Sequence, residues 1–485
     1  MNDQIGVTVV DEMPPGSRLV ARSATSPMNG EEATVSSLRM VFGVGQTPPS
    51  PGGPRPRRHA AAAIAAMVCA SLLAGCGDSG SSDSKGGPKK SNDRGPITLA
   101  TGKDTTGTLQ GQLDRWNKQH PSEKVTLVEL PESADQQRQQ FIQNAQTKSD
   151  AYTVLNLDPI WVAEFAANQW IDELPAKEFP LDKMIPAVVK TGDYFGRQYA
   201  IPFNTNAGLL FYRKDLLDKI GAEPPATWAE MKQDCAKVKQ LPEGKGVDCY
   251  AGQFDKYEGL TVNFSEAVAS AGGSVVDAKG KATVDTDAAK KGLQFLVDGF
   301  KDGTIPKQAA TYEEEDGRRA FQSGKLLFHR QWPYQWTLAN AKDGSSKVAG
   351  KFGVAPLPGL SGPGRSSLGG LDLAVSKFAK NKATALDFIK FFSDEENART
   401  NLKVTSAAPP YTDLYDDPAL RKQFPYLDTL KQSLATATPR PVVVHYGDAT
   451  AAIQESAAAA LNGSKSVDDA LADMQKNLSA AISEK

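Results

Sequence analysis

From Ile97 onward the chain switches between two hydrophobic periods. Ile97–Thr101, Lys124–Leu130 (KVTLVEL) and Tyr152–Leu157 read as strands. Between the first two, Leu109, Leu113 and Trp116 recur at i, i+4 and i+7, the spacing of one helix face. A second helix is predicted near 134–148, and the third strand runs through Asp158-Pro159 into another helix. Ala207–Arg213 reads as a further strand, and Thr227-x-x-Glu230 as a capping box that opens a helix. Near the C-terminus Val467, Leu471, Met474, Leu478 and Ile482 form one helical stripe with Ser466 as its N-cap. Strands alternating with helices predict a parallel α/β sheet. No fixed-period repeat is present.

The first 96 residues follow neither period. Residues 1–54 carry no pattern and end in PPSPGGPRP. Arg55, Arg57 and Arg58 then precede the apolar run Ala60–Leu73, which is shorter than the ~20 residues of a spanning helix and reads as a signal-peptide core. Because such a signal belongs at the start of a chain, 1–54 reads as a mis-assigned start, with Met40 a candidate initiator, or as an unstructured leader. The signal peptide is placed at 55–75. Arg57-Arg58 permits a twin-arginine route, although its context favours general secretion. Leu73-Ala74-Gly75-Cys76 looks like a bacterial lipobox, which makes Cys76 the lipidated mature N-terminus. Residues 76–96, almost without apolar side chains, cannot bury enough surface to fold and read as a lipid-anchored flexible tether.

Charge and cysteine content narrow the function. Fifty-five basic residues against 57 acidic ones give a net charge of −2, with none of the basic excess that nucleic acid requires. Of the four cysteines, Cys69 lies in the removed peptide and Cys76 is lipidated, which leaves Cys235 and Cys249; outside the cell they can form a disulfide, or else two buried thiols. The four histidines are scattered without HExxH or CxxC, so neither a metal nor a cofactor is expected. There is no GxSxG, GxGxxG or Walker loop, and Gly317–Lys325 has the wrong spacing for one. The acidic run Glu313–Asp316 raises paired glycosidase carboxylates, but adjacent helical residues diverge, so no catalytic residue is assigned.

The cluster Trp332-Pro333-Tyr334-Gln335-Trp336 suits a sugar better, because a pyranose offers a C–H face to aromatic rings and a hydroxyl rim to carboxylates, amides and arginine. Ordered along the chain are VLNLDPIWVAEFAANQW (154–170), YAIPFNTNAGLLFYRKDLL (199–217), TWAEM (227–231), YEGL (257–260), VASAGGSVVD (268–277), AFQSGKLLFHRQWPY (320–334), FGVAPLPG (352–359) and LGGLDLAVSK (368–377). Together they resemble the extracellular solute-binding proteins of carbohydrate ABC importers, and within those the trehalose/maltose-binding branch. The resemblance spans nearly all of 97–485.

That resemblance implies a two-lobed periplasmic-binding-protein fold of type II, each lobe a sheet flanked by helices, joined by a hinge crossed several times. Lobe 1 is expected at 97–204 plus 357–405, and lobe 2 at 206–355 plus 409–485. It implies a disaccharide in the interlobe cleft, trehalose favoured and maltose or a related α-glucoside next. The partners implied are permease subunits with a cytoplasmic ATPase, the protein itself being a monomer held at the outer face of the membrane by lipid alone. The ligand set carried over is Lys103, Asp104, Asp158, Asn206, Tyr257, Glu258, Glu314, Trp332, Tyr334, Gly369, Gly370, Asp372 and Arg440, with Tyr446 a weaker candidate. In it Asp158 and Arg440 hold sugar hydroxyls from opposite lobes, Trp332 and Tyr334 stack, and the glycine pair lets backbone approach the ligand. SAAPPYTDLY (406–415) departs from the glycine-bearing form expected of trehalose binders. The competing readings are an extracytoplasmic glycoside hydrolase and a non-transport surface lipoprotein such as an adhesin.

Overall fold

The structure is a computed structural model that describes residues 93–483. The leader, the signal peptide, Cys76 and most of the tether therefore lie outside the described residues. The last residues assigned to the tether are already fixed to the body. Arg94 bonds Glu123 and Asp387, and the Gly95 N–H donates to Thr384.

Among the described residues there are eleven strands: β1 (Ile97–Gly102), β2 (Val125–Leu130), β3 (Val154–Leu157), β4 (Asp193–Tyr194), β5 (Arg197–Gln198), β6 (Ala200–Ala207), β7 (Leu209–Tyr212), β8 (Asp248–Ala251), β9 (Leu326–Gln331), β10 (Gly353–Ala355) and β11 (Leu368–Val375). The first lobe is built on the sheet β2-β1-β3-β11-β6 and the second on β10-β7-β9-β8. β1 runs parallel to β2 and β3, as helical crossovers at Leu109–Gln119 and Ala134–Gln146 require. β11 is antiparallel to both β3 and β6, so the sheet is mixed rather than wholly parallel. β11, inserted between β3 and β6, arrives from a remote part of the chain rather than through a crossover helix.

The expected strand at 207–213 is divided. Ala207 ends β6 in the first sheet and Leu209 begins β7 in the second, with Gly208 at the crossing. Two boundaries also move. Residues 357–364 stay with the second lobe: Gly359 accepts from the Trp228 N–H, and the Leu360 N–H donates to Ser270. Conversely, residues 410–436, expected in the second lobe, lie on the first. The Ile185 N–H donates to the Pro410 carbonyl, Met184 bridges Tyr411, and the helix Leu427–Thr436 packs on β6. The chain re-enters the second lobe near Arg440, and the helix Tyr446–Leu461 packs on Glu258–Ser270.

Local signals hold up. The Glu230 N–H donates to Thr227 Oγ1 at 3.2 Å, and Glu230 Oε2 accepts the Thr227 N–H at 2.9 Å, closing the capping box. Ser466 Oγ accepts the Asp469 N–H at 3.1 Å, and Val467, Leu471, Met474 and Leu478 bury the last helix. Cys235, late in the helix Trp228–Val238, and Cys249 in β8 are joined as a disulfide with Cα atoms 5.4 Å apart. By loop-closure entropy such a short bridge contributes ~3 kcal/mol.

Candidate ligand cleft

Between the two sheets lies a cavity of about 310 Å³. The first lobe brings Lys103, Asp158, Trp161, Asn206, Gly369 and Gly370 to it; the second brings Glu258, Glu313–Asp316, Trp332, Tyr334 and Arg440. Several of these side chains sit where a strand ends. Asp158 follows β3, whose four residues are all buried, and Trp332 follows β9.

Arg440 ties the floor together. Its Nη1 donates to Glu258 Oε1 and its Nη2 to Asp158 Oδ1, each at 2.6 Å, so one guanidinium bridges the lobes. Asp158 Oδ1 also accepts the Ile160 N–H at 3.1 Å, capping the short turn Pro159–Trp161. Helix cap and cleft residue are thus the same side chain. Asp158 and Arg440, expected from opposite lobes, pair directly with each other. The second oxygen of Asp158 remains for the cavity. Glu258 is buried and also accepts from Tyr446 and from Thr450 Oγ1. Burial pushes its carboxyl up, against the pull of the Arg440 charge.

The Trp332 ring has the Arg330 guanidinium 3.9 Å from its centroid, a cation–π contact that fixes the ring's plane. Its edge lies on Gly369, where a Cβ would stand 3.0 Å from the ring. Gly370 has φ +138°, and a Cβ there would come within 2.5 Å of the Asn204 carbonyl. Both glycines are needed for close approach. Tyr334 donates to Glu315 Oε1 at 2.7 Å, and Arg318 pairs with the same carboxylate. Tyr257 does not line the cavity. It is buried behind Glu314 and donates to its Oε2 at 2.8 Å. Glu313, beside it, is pushed up to about 7 by burial and by the charge of Glu314.

Besides Tyr257, two further expected ligands do not line the cleft. The Asp104 carboxylate is consumed locally, accepting from the Thr106, Gly107 and Leu109 N–H groups at 3.0, 3.0 and 2.6 Å. It orders the loop that ends at the helix Leu109–Gln119. Lys103 does reach the cavity, but at the exposed rim, paired with Glu132. Asp372 is fully buried in the first sheet and does not line the cavity. Trp161 went unnoticed in the sequence, although it stands three residues after Asp158 in DPIW and presents an edge to the cavity. Glu313 and Glu315 were likewise passed over beside Glu314. No cluster of metal-ligating side chains is found among the described residues.

The buried setting of Asp372 favours its protonated form. Thr191 Oγ1 lies 2.6 Å from the Val188 carbonyl and 2.8 Å from Asp372 Oδ2. The hydroxyl has one proton to share between these two acceptors, so it satisfies the buried carboxylate only in part. Burial pushes this carboxyl up to about 8; the nearby Asp158 charge adds to that, and the Thr191 hydroxyl opposes it. The folded state therefore holds a proton that the unfolded chain releases near 4, and stability falls as pH rises from about 4 to about 8. Asp372→Asn keeps the shape and the neutral charge. It is expected to melt with wild type at pH 5 and above wild type at pH 8.5 in thermal unfolding; equal melting at both pH values would show that the carboxyl does not titrate in this window.

The family model for bacterial extracellular solute-binding proteins matches residues 102–399. A probable ABC transporter-binding protein of Deinococcus radiodurans is 33% identical over 339 residues, 68% of this chain and 79% of that one. A mannitol-binding protein of Pseudomonas aeruginosa is 25% identical over 79% of this chain and 92% of its own length. Among solved structures, maltose-bound MalE3 of T. maritima superposes with TM-score 0.75 at 34% identity, covering 79% of this chain and 98% of that one. With two sheet-based lobes enclosing a polar cleft bridged by Arg440, the chain belongs to the bacterial extracellular solute-binding proteins.

Proposed function

We propose that this protein captures a disaccharide-sized sugar in the interlobe cleft and delivers it to an ABC permease, acting as a monomeric, lipid-anchored receptor outside the cell rather than as an enzyme. The observation that carries the reading is Trp332, a ring fixed by Arg330 on one side and Gly369 at its edge, beside the carboxylate–guanidinium network of Asp158, Glu258 and Arg440. A fixed ring suits the C–H face of a pyranose, and charged groups suit its hydroxyls. The maltose-bound neighbour and the mannitol-binding relative support a carbohydrate. Few aromatic platforms and many polar groups favour a compact disaccharide, with trehalose first and maltose second. The anchor is Cys76.

Thermal shift with trehalose, maltose, sucrose and mannitol, followed by calorimetry on the best, tests this. Trp332→Ala is expected to weaken binding ~10- to 100-fold through lost stacking and lost apolar contact with little change in melting temperature. A screen in which no sugar raises the melting temperature would sink the proposal. A preference for mannitol would move it from disaccharides to polyols.

A further inference from the structure

The helix Glu258–Ser270 begins without a side-chain cap of its own, because its N-cap is Tyr257, whose hydroxyl is committed to Glu314. A helix start carries unpaired N–H groups and partial positive charge. Here the missing acceptor comes from the other lobe. Asp135, in the first turn of the helix Ala134–Gln146, accepts the Glu258 N–H on Oδ1 at 3.1 Å. Its Oδ2 accepts Gln454 Nε2 at 3.2 Å, from the helix Tyr446–Leu461. One carboxylate thus holds two helices of the second lobe. One turn on, Arg138 is fixed by Glu164 and lies against Gly447, where a Cβ would stand 2.7 Å from its Nη2. Two successive polar residues on one face of a first-lobe helix are therefore fitted to the second lobe. Asp135 itself does not line the cavity.

We propose that Asp135 is a closure latch, which caps the Glu258–Ser270 helix from the opposite lobe and so favours the shut cleft without touching the ligand. The proposal rests on the reading as a solute-binding protein that closes on its ligand. When only the closed form binds tightly, apparent affinity scales with the fraction closed. Losing the latch then weakens binding and speeds release while every ligand contact stays in place. Asp135 is a positioning residue in this sense.

The test compares Asp135→Ala and Asp135→Asn with wild type. Small-angle scattering reads the sugar-free shape, calorimetry the affinity, and stopped flow the release of whichever sugar stabilises wild type. The alanine variant is expected to scatter as a more open molecule, to bind ~10-fold more weakly, as loss of one charge-assisted hydrogen bond implies, and to release sugar faster. The asparagine variant keeps an acceptor for the Glu258 N–H and is expected within ~3-fold of wild type. Should the alanine variant fail to fold, Asp135→Ser, itself well suited to a helix start, replaces it. A lowered melting temperature with wild-type scattering and wild-type release would overturn the latch and leave Asp135 a structural helix residue. Scattering needs no ligand, so if wild type binds no sugar, the functional reading fails while the latch is still judged on shape.

Discussion

Arg440→Met is expected to lower folding stability by about 3–5 kcal/mol and to remove sugar binding within the measurable range, since breaking a buried ion pair strands the partner charge. Arg440 is 3% exposed, and its two donors go to Glu258 and Asp158. Without it Glu258 keeps only the hydroxyls of Tyr446 and Thr450, in a site where burial already pushes its carboxyl up. Losing the Arg440 charge would push that carboxyl up further, because the guanidinium is what opposes the effect of burial. Asp158, on the other lobe, would lose the Arg440 guanidinium that reaches it across the cleft. Urea unfolding and calorimetry check both effects. Adding Glu258→Gln to Arg440→Met separates them: the double variant is expected to regain much of the stability, because no unpaired charge is left buried, and none of the binding. A single variant that unfolds at the wild-type midpoint would mean that the network is solvated and contributes little.

What the sequence disclosed about this site depended on how local each signal was. β1, β2 and β3 were legible because period-2 and buried runs reflect burial directly, and the capping box at Thr227 because both partners lie within three residues. Asp158 was legible twice over, as a cap before proline and as a cleft carboxylate, and it performs both tasks. Asp104 was misplaced for a local reason: in DTTG its own following N–H groups compete for the carboxylate and win. Asp372 was misplaced for a geometric one. Strict alternation would put it on the face of Gly370, but it is fully buried against Thr191 instead, a contact 181 residues away in sequence. The lobe boundaries moved because β6 continues to Ala207 and because residues 410–436 pair with first-lobe backbone, contacts no sequence period records. Asp135 was invisible for the same reason: its partners lie more than a hundred residues away.

Arg330→Met is expected to be comparably damaging, by about 3–5 kcal/mol, though through the hinge rather than the cleft floor. Arg330 is 1% exposed and grips Glu266 with two bonds, Nε to Oε2 at 2.7 Å and Nη2 to Oε1 at 2.6 Å. Its remaining donor goes to Gln253 at 2.9 Å. Glu266 Oε1 in turn accepts the Ser367 N–H at 3.0 Å and the Ser366 hydroxyl, and that hydroxyl also accepts the Gly208 N–H. Gly208 is where the chain first passes between the sheets, and Ser366–Ser367 is where it passes back before β11. The ion pair therefore binds two hinge strands to each other, and a Cβ at Gly208 would stand 2.6 Å from both of its members. The same guanidinium backs the Trp332 ring, a contact worth about 0.5–2 kcal/mol by general experience of cation–π pairs, so the variant should also bind sugar more weakly at temperatures where it is folded. Glu266→Gln with Arg330→Met leaves no buried charge unpaired. It is expected to unfold at higher urea than Arg330→Met alone, yet its affinity should stay low because the ring has lost its backing. If the double variant is as unstable as the sum of the two single ones, the pair is not coupled and the hinge is held by its backbone bonds instead.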